Sequence, residues 1–151
     1  MKFTLDTNIL VYAVDADAGA RYEMAYDLMK RSAVADCIIL LQVLGEFFHA
    51  TTRRAKLSID EAVRYIDEWR AVFPVRSATE ELMSDGVAAV RDHNLSFWDA
   101  MLWATAKRAG CRYLLTEDFQ DGRTLGGVTF IDPFRSTNVA LLDALLSALP
   151  S

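Results

Sequence analysis

Four acidic side chains from distant parts of the chain are the strongest candidates for chemistry in this sequence: Asp6, Glu46, Asp99 and Asp118. Two carboxylates about 4 Å apart repel each other by about 4 kcal/mol at an effective dielectric constant of about 20. A cluster of four therefore raises the pKa values of its members or binds a cation. Oxygen ligands without cysteine or histidine favour Mg²⁺ or Mn²⁺. Such an ion polarises a phosphate oxygen and lowers the pKa of water, which is the chemistry of phosphodiester hydrolysis.

Alternating strands and helices must bring these acids together. Short apolar runs predict strands at "KFTL", "CIILL", "CRYLLT" and "VTFI". Helical periodicity predicts helices between them, and the helix after "CIILL" carries Glu46. This order predicts an α/β fold, a three-layer α/β/α sandwich with a mainly parallel central sheet. Ligands of such sheets gather beyond the carboxyl ends of the strands, so all four acids map to one edge.

Serine residues mark the starts of two of these helices. Ser58 and Glu61 form a capping box in "SIDE", and Ser96 has the same spacing to Asp99. Pro74 ends the first helix, and a further helix is expected to begin near Ser77. The residues expected to face the core are Ile59, Val63 and Ile66 in the first helix, and Leu82, Met83, Val87 and Val90 in the further one.

The sequence divides into residues 1–135, which contain all four acids, and a C-terminal tail, residues 136–151. The tail predicts a short helix with five leucines: Leu141, Leu142, Leu145, Leu146 and Leu149. The preferred interpretation packs this helix against the same domain. The alternative is a self-association or partner surface, because a dense leucine face is unfavourable in water.

The composition is that of a globular protein: 151 residues, 52% hydrophobic and 25% charged, enough for one domain. The net charge of −5 argues against broad attraction to nucleic acid. A local basic cluster, Arg53, Arg54 and Lys56, is either a nucleic-acid contact or a solvated helix end. Cys37 and Cys111 lie in apolar runs and are expected to be buried thiols. We find no secretory signal and no apolar run of about 18 residues, so a cytoplasmic location is expected.

Three of the acids also have purely structural interpretations. Asp6 would be a polar turn residue, although its place after a central strand makes this the weaker interpretation. Glu46 would be a solvated helix residue, which is equally plausible for this residue alone. Asp99 would serve as the capping partner of Ser96, and the capping and ligand roles can coexist.

The loop after "CRYLLT" leaves the identity of the fourth acid open. Glu117, Asp118 and Asp121 all lie in this loop, and a solvated acidic loop would explain the three together. Asp118 is the preferred candidate. Thr116, the last residue of the predicted strand, is placed to orient water or a phosphate beside Asp118.

Other enzyme classes also begin with an aspartate at the end of a strand. Aspartate-nucleophile phosphatases need a second aspartate two residues later, and here Asn8 occupies that position. Thr7 and Asn8 are instead expected to hydrogen-bond the Asp6 carboxylate or to close the turn. A binding module with a degenerate site has no need of four acids, so hydrolysis is the preferred interpretation.

Four segments resemble, in order and spacing, the PIN domains, and in particular the VapC-like toxins of toxin–antitoxin pairs. These segments are "FTLDTNILVY", "QVLGEFFHATTRR", "LSFWDAMLWATAKRAG" and "YLLTEDFQDG". The resemblance covers the chain from Lys2 to about Phe134. It implies a PIN-like three-layer fold for residues 1–135 and assigns nothing to the tail.

The resemblance further implies an endoribonuclease that depends on Mg²⁺ or Mn²⁺. The catalytic metal ligands would be Asp6, Glu46, Asp99 and Asp118. The residues that support them or position the substrate would be Thr7, Asn8, Ser96 and Thr116. The candidate RNA contacts would be Arg53, Arg54 and Lys56. Glu117 departs from the family pattern by adding an acid beside Asp118.

The same resemblance implies partners. VapC-like toxins are usually homodimers, and a cognate antitoxin protein inhibits them. A PIN-fold nuclease of RNA processing without a toxin role is the alternative function, and an aspartate-nucleophile phosphatase is a more distant one.

Overall fold

One mainly parallel sheet forms the centre of the protein in the computed structural model, which describes residues 1–148. Its strands are β1 (Phe3–Leu5), β2 (Cys37–Leu40), β3 (Val75–Arg76), β4 (Tyr113–Leu115), β5 (Thr124–Leu125) and β6 (Val128–Ile131). Their order across the sheet is β3-β2-β1-β4-β6-β5. Only the β5–β6 pair is antiparallel within the described part of the chain. The predicted mainly parallel sheet is confirmed.

Helices cover both faces of this sheet. They are α1 (Thr7–Ala13), α2 (Ala20–Ser32), α3 (Leu41–Arg53), α4 (Ile59–Val72), α5 (Leu82–His93), α6 (Phe97–Arg108) and α7 (Val139–Ser147). α1 packs on α2 and α3, α3 packs on α4, and α5 packs on α6. Every residue of β1 and β2 is buried, as expected for central strands with helices on both sides. The predicted three-layer arrangement is therefore confirmed.

The register of the central strands sets the position of the first acid. Phe3 of β1 lies opposite Tyr113 of β4, and Leu5 lies opposite Leu115. The residues that follow these strands, Asp6 and Thr116, are therefore neighbours at the carboxyl edge of the sheet. The amide of Asp6 donates a hydrogen bond to the carbonyl of Leu115 at 2.9 Å, which fixes this arrangement.

Three short elements were not predicted from the sequence. Helix α1 begins at Thr7, directly after β1, because Asp6 caps its first turn. Strands β3 and β5 have two residues each, too few to produce a recognisable period. β5 and β6 are joined by Gly126 and Gly127, both with positive φ, as a two-residue hairpin turn requires.

The predicted core face of α4 is mostly wrong, since only Ile66 of the three expected residues packs against the core, where it is partly buried. Ile59 is 63% exposed and Val63 is 42% exposed, whereas Ala62 is fully buried. The helix instead turns its aromatic residues toward α3, where the Trp69 ring lies 4.7 Å from the ring of Phe47. Aromatic side chains bury more area than β-branched ones, and this contact fixes the rotation of the helix.

The predicted core face of α5 is also mostly wrong, since Met83, Val87 and Val90 are exposed. The helix buries Leu82, Gly86 and Ala89, one narrow face of mainly small residues. Small side chains let the backbone of α5 approach α6 closely, and this approach turns the larger residues toward solvent.

The C-terminal helix packs against α2, as the preferred interpretation of the tail predicts. Leu142, Leu145 and Leu146 are buried, and Arg31 of α2 donates to the Asp143 carboxylate at 2.8 Å. Leu149, also expected in this helix, lies outside the described residues. The division of the chain at residue 135 stays a prediction.

Cys37 and Cys111 are both buried free thiols, as expected from their apolar surroundings. Within residues 1–148, every helix is too short or too polar to cross a membrane.

The close approach of α5 and α6 predicts the effect of enlarging Gly86. A Cβ at this position would lie 2.4 Å from Sδ of Met101, which is itself buried. We therefore expect Gly86→Ala to lower the free energy of unfolding by about 1–3 kcal/mol, measured by urea denaturation. Gly45→Ala in α3 is the matched control, because no atom lies within 4 Å of its added Cβ. That variant should gain about 0.5–1 kcal/mol, and equal effects at both positions would contradict the packing described.

Candidate active site

Asp6 is the most buried acid of the site and has a partner on each carboxylate oxygen. Its Oδ1 accepts from the backbone amide of Thr7 at 2.7 Å, and its Oδ2 accepts from Oγ1 of Thr116 at 2.7 Å. The residue is 7% exposed. The pKa of Asp6 is raised to about 6, chiefly by burial, with a smaller contribution from the negative charges of Asp118 and Asp99, while the two hydrogen bonds act to lower it. The hydrogen bonds therefore hold the Asp6 carboxyl group in a fixed position, while burial makes its ionisation unfavourable.

Asp118 is held by two neighbours, Asn8 and Thr116, and it shares Thr116 with Asp6. Asn8, in the first turn of α1, donates its side-chain amide to Oδ2 of Asp118 at 2.8 Å. The backbone amide of Asp118 donates to Oγ1 of Thr116 at 3.1 Å, the same hydroxyl that bonds Asp6. Partial burial and the charges of Glu117 and Asp99 raise the pKa of Asp118.

Glu46 joins this network from α3. Its Oε2 accepts from the Thr7 hydroxyl at 3.1 Å, and its Oε1 accepts from the side-chain amide of Gln42 at 2.6 Å. The same amide donates to the backbone carbonyl of Trp98 at 3.1 Å. Gln42 was not predicted from the sequence as a site residue, although its spacing of four residues from Glu46 places both on one face of the helix.

Asp99 lies in the first turn of α6, immediately after Trp98. Its amide donates to Oγ of Ser96 at 3.3 Å, so Ser96 acts as a helix cap, as preferred from the sequence. The charge of Asp99 raises the pKa of both Asp6 and Asp118, so its carboxylate lies in the same negative region. The structure thus brings the four predicted acids to one edge of the sheet, and their catalytic role stays a prediction.

The two other acids of the loop after β4 are engaged elsewhere. Glu117 accepts from the Tyr12 hydroxyl at 2.5 Å and pairs with Arg21 at 3.2 Å. Asp121 accepts from the amide of Asp132 at 2.8 Å and from Asn138 at 2.9 Å. These contacts favour Asp118 as the fourth acid, the candidate preferred from the sequence.

A small aromatic cluster holds the Glu117 side chain away from the site. The guanidinium of Arg21 lies 4.3 Å from the ring centre of Phe134, and the rings of Tyr12 and Phe134 meet edge to face at 5.6 Å. The hydrogen bond to Glu117, together with burial, raises the pKa of Tyr12 to about 12. No local sequence signal predicts this cluster, because its members come from three separate segments.

The predicted basic cluster divides into two parts. Arg53 and Arg54 are exposed at the end of α3, and Arg53 follows Glu46 by two helical turns on the same face, about 10 Å along the axis. Lys56 instead forms an ion pair with Asp15 at 2.5 Å. Its charge is therefore partly neutralised.

The donor set suits a hard divalent cation, although in residues 1–148 no three Asp, Glu, His or Cys side chains are already arranged to hold a metal ion. The converging groups are all carboxylates, and oxygen ligands are those that Mg²⁺ and Mn²⁺ prefer. Asp6 and Asp118 both have raised pKa values, in part because neighbouring carboxylates repel them. A cation among these groups would relieve that repulsion.

The raised pKa of Asp6 predicts a pH-dependent stability. Its ordinary pKa of 3.8 rises to about 6 on folding, so the folded state loses stability as the pH increases through 6. In a chelating buffer at pH 8, Asp6→Asn should raise the free energy of unfolding by up to about 3 kcal/mol, because the amide needs no ionisation. The gain should shrink as the pH falls from 6 towards 4 and should disappear below about pH 3, where the carboxyl is protonated in both states.

Chemical denaturation across this pH range measures the difference. Asp85→Asn, which changes an exposed acid of α5, is the control and should show no comparable pH dependence. The same gain for Asp6→Asn at both ends of the range would contradict the burial cost.

Comparisons with known proteins agree with this architecture. The family model described as PIN domain matches residues 3–120. The fold is similar to VapC20 of Mycobacterium tuberculosis, a sarcin-ricin loop cleaving toxin, with TM-score 0.65, 22% identity, and coverage of 82% of this chain and 97% of that one. It is also similar to a toxin–antitoxin complex from Klebsiella pneumoniae, with TM-score 0.62, 21% identity, and coverage of 87% and 98%.

A third similar structure is VapBC2 from Rickettsia felis bound to a DNA fragment from its promoter, with TM-score 0.61, 15% identity, and coverage of 86% and 97%. No curated protein matches the sequence. At these identities the structural likeness shows the fold, and the family model, which spans most of the chain, shows the membership. This chain belongs to the PIN domain family.

Proposed function

We propose that this protein is a divalent-metal-dependent endoribonuclease, the toxin of a toxin–antitoxin pair. The observation that carries the proposal is the meeting of four acids at one edge of a PIN-domain sheet, three of them linked by hydrogen bonds and Asp99 close enough to raise the pKa values of Asp6 and Asp118. Asp6, Glu46 and Asp118 are connected through the hydroxyls of Thr7 and Thr116.

Asp6, Glu46, Asp99 and Asp118 would hold Mg²⁺ or Mn²⁺ in this proposal. When bound, the ion polarises the scissile phosphate and lowers the pKa of the attacking water. Thr116 keeps one oxygen of Asp6 fixed, and Thr7 keeps Glu46 in place. Asn8 orients Asp118. These neutral partners hold the carboxylates in position without neutralising them, so the negative charge stays available for the cation.

RNA as substrate is supported by the architecture and by one basic helix end. VapC20, to which the fold is similar, is described as a toxin that cleaves the sarcin-ricin loop. Arg53 and Arg54 supply exposed positive charge on a chain whose net charge is −5. They would contact phosphates beyond the acidic cluster, and Lys56 would contribute less because it pairs with Asp15.

An antitoxin protein is the proposed partner. The similar structures from Klebsiella pneumoniae and Rickettsia felis are a toxin–antitoxin complex and a VapBC2 complex. A homodimer and a cytoplasmic location complete the proposal, in keeping with the resemblance to VapC-like toxins.

Metal-dependent RNA cleavage tests the enzymatic part. Purified protein should shorten total RNA in the presence of Mg²⁺ or Mn²⁺, and EDTA should stop the reaction. Asp6→Asn and Asp99→Asn should each lower the rate about 100-fold or more, because each removes a proposed ligand from a shared site. Gel electrophoresis of timed samples measures the rate.

Asp85→Asn, purified in parallel, is the matched control, since it removes an exposed acid of α5 outside the network. It should cleave at the parental rate. If Asp6→Asn and Asp99→Asn both cleaved RNA at the rate of the parent protein, these two acids would have no role in the mechanism.

Growth on expression tests the toxin role separately. Producing the wild-type chain in a bacterial host should arrest growth, and Asp6→Asn should not, because the arrest requires the intact site. Co-expression of the product of an adjacent reading frame should restore growth. If the purified protein cleaves RNA while growth is unaffected, the RNA-processing alternative replaces the toxin role.

A further inference from the structure

We propose that Trp98 is a stacking platform for an unpaired nucleobase next to the scissile phosphate. This inference rests on the proposed ribonuclease function and extends it to the substrate class, namely RNA whose target nucleotide is single-stranded or flipped out. Trp98 lies immediately before Asp99 and is 65% exposed.

The backbone of Trp98 is tied directly to the acidic network. Gln42 donates its side-chain amide to the Trp98 carbonyl at 3.1 Å, and the same amide bonds Glu46 at 2.6 Å. Trp98 also lies in the first turn of α6, which Ser96 caps. The backbone that carries the indole is therefore linked to Glu46 through Gln42 and is directly bonded to Asp99.

The indole ring has support from one neighbour. The ring of Phe97 meets it at a centroid distance of 4.9 Å and an angle of 75°, an edge-to-face contact. Phe97 packs partly into the core, so it anchors the pair. This support favours one orientation of the indole while most of its surface stays open to a ligand.

The other two tryptophans have structural roles that account for them. Trp103 is 5% exposed and donates its indole N–H to the carbonyl of Leu125 at 3.0 Å. Trp69 is half-buried, and the centre of its ring lies 4.7 Å from the centre of the Phe47 ring. Among the three, only Trp98 presents a large apolar surface to solvent.

The charge of the site explains why an uncharged contact suits this position. Four carboxylates repel any further negative group, whereas the neutral base of a nucleotide can be held beside them without that repulsion. Stacking on an indole is tolerant of sequence, because every base has a π face. A paired base already stacks on both sides within a duplex, so the platform selects unpaired nucleotides.

Binding to a short RNA tests the proposal without cleavage. In the Asp6→Asn background, a fluorescein-labelled 12-residue oligoadenylate is titrated and its anisotropy is measured. Trp98→Ala should weaken binding about 5- to 150-fold, because stacking contributes about 1–3 kcal/mol per base. Trp98→Phe should stay within about 3-fold of the parent, since a benzene ring still stacks. Trp98→Leu, which is apolar but not aromatic, should resemble Trp98→Ala.

Base removal identifies the partner of the indole. One abasic residue is placed at each position of the 12-mer in turn. At one position at least, the missing base should weaken binding to the Trp98-containing protein but not to Trp98→Ala. Tyr26→Ala, which removes an exposed aromatic ring from α2, is the control and should bind like the parent.

The outcomes separate this inference from the proposed function. If the wild-type chain cleaves RNA but Trp98→Ala and Trp98→Leu bind the oligomer like the parent, the stacking platform is overturned and the ribonuclease stands. If the wild-type chain cleaves no RNA, the proposed function fails. Light scattering of each variant completes the test: equal loss of binding in all three Trp98 variants, with a changed oligomeric state, would assign Trp98 to a protein interface and overturn the inference.

Discussion

The desolvated carboxylate of Asp6 is the constraint on which the rest of the site depends. A buried charge is tolerated only where hydrogen bonds replace the lost water. Here the backbone amide of Thr7 and the hydroxyl of Thr116 bind the two oxygens. One partner opens α1 and the other follows β4. The alignment of the two central strands and the alignment of the acids are therefore set by the same contacts.

A polyanion approaching this edge meets repulsion, and the proposed function has to overcome it. The chain separates its charges along α3, with Glu46 in the network and Arg53 about 10 Å farther along the same helix face. Trp98, directly before Asp99 in the chain, adds an exposed neutral ring. The surface thus offers positive, negative and apolar groups at separate positions, which suits a ligand that combines a phosphate backbone with flat neutral bases.

The positions of the acids could be predicted from sequence because each is a local consequence of where a strand ends or a helix begins. The sequence favoured Asp118 over Glu117 as the fourth acid but could not decide between them. The decision depends on contacts of Glu117 with Tyr12 and Arg21, which are distant in the chain. The rotations of α4 and α5 were missed for a similar reason. Periodicity identifies an apolar face of a helix, but the packing partner decides which face is buried. In α5, Gly86 lets the narrow face of small residues approach α6 closely, so this face is buried.

The contacts of Asp121 have a consequence for the handling of this protein. Its carboxylate binds Asn138, immediately before α7, and the amide of Asp132. The loop that carries Asp118 is thereby fastened to the C-terminal segment, while Arg31 fastens that helix to α2. A truncation or bulky fusion that dislodges the last helix would consequently loosen an acid more than a dozen residues upstream, so affinity tags should not disturb that end.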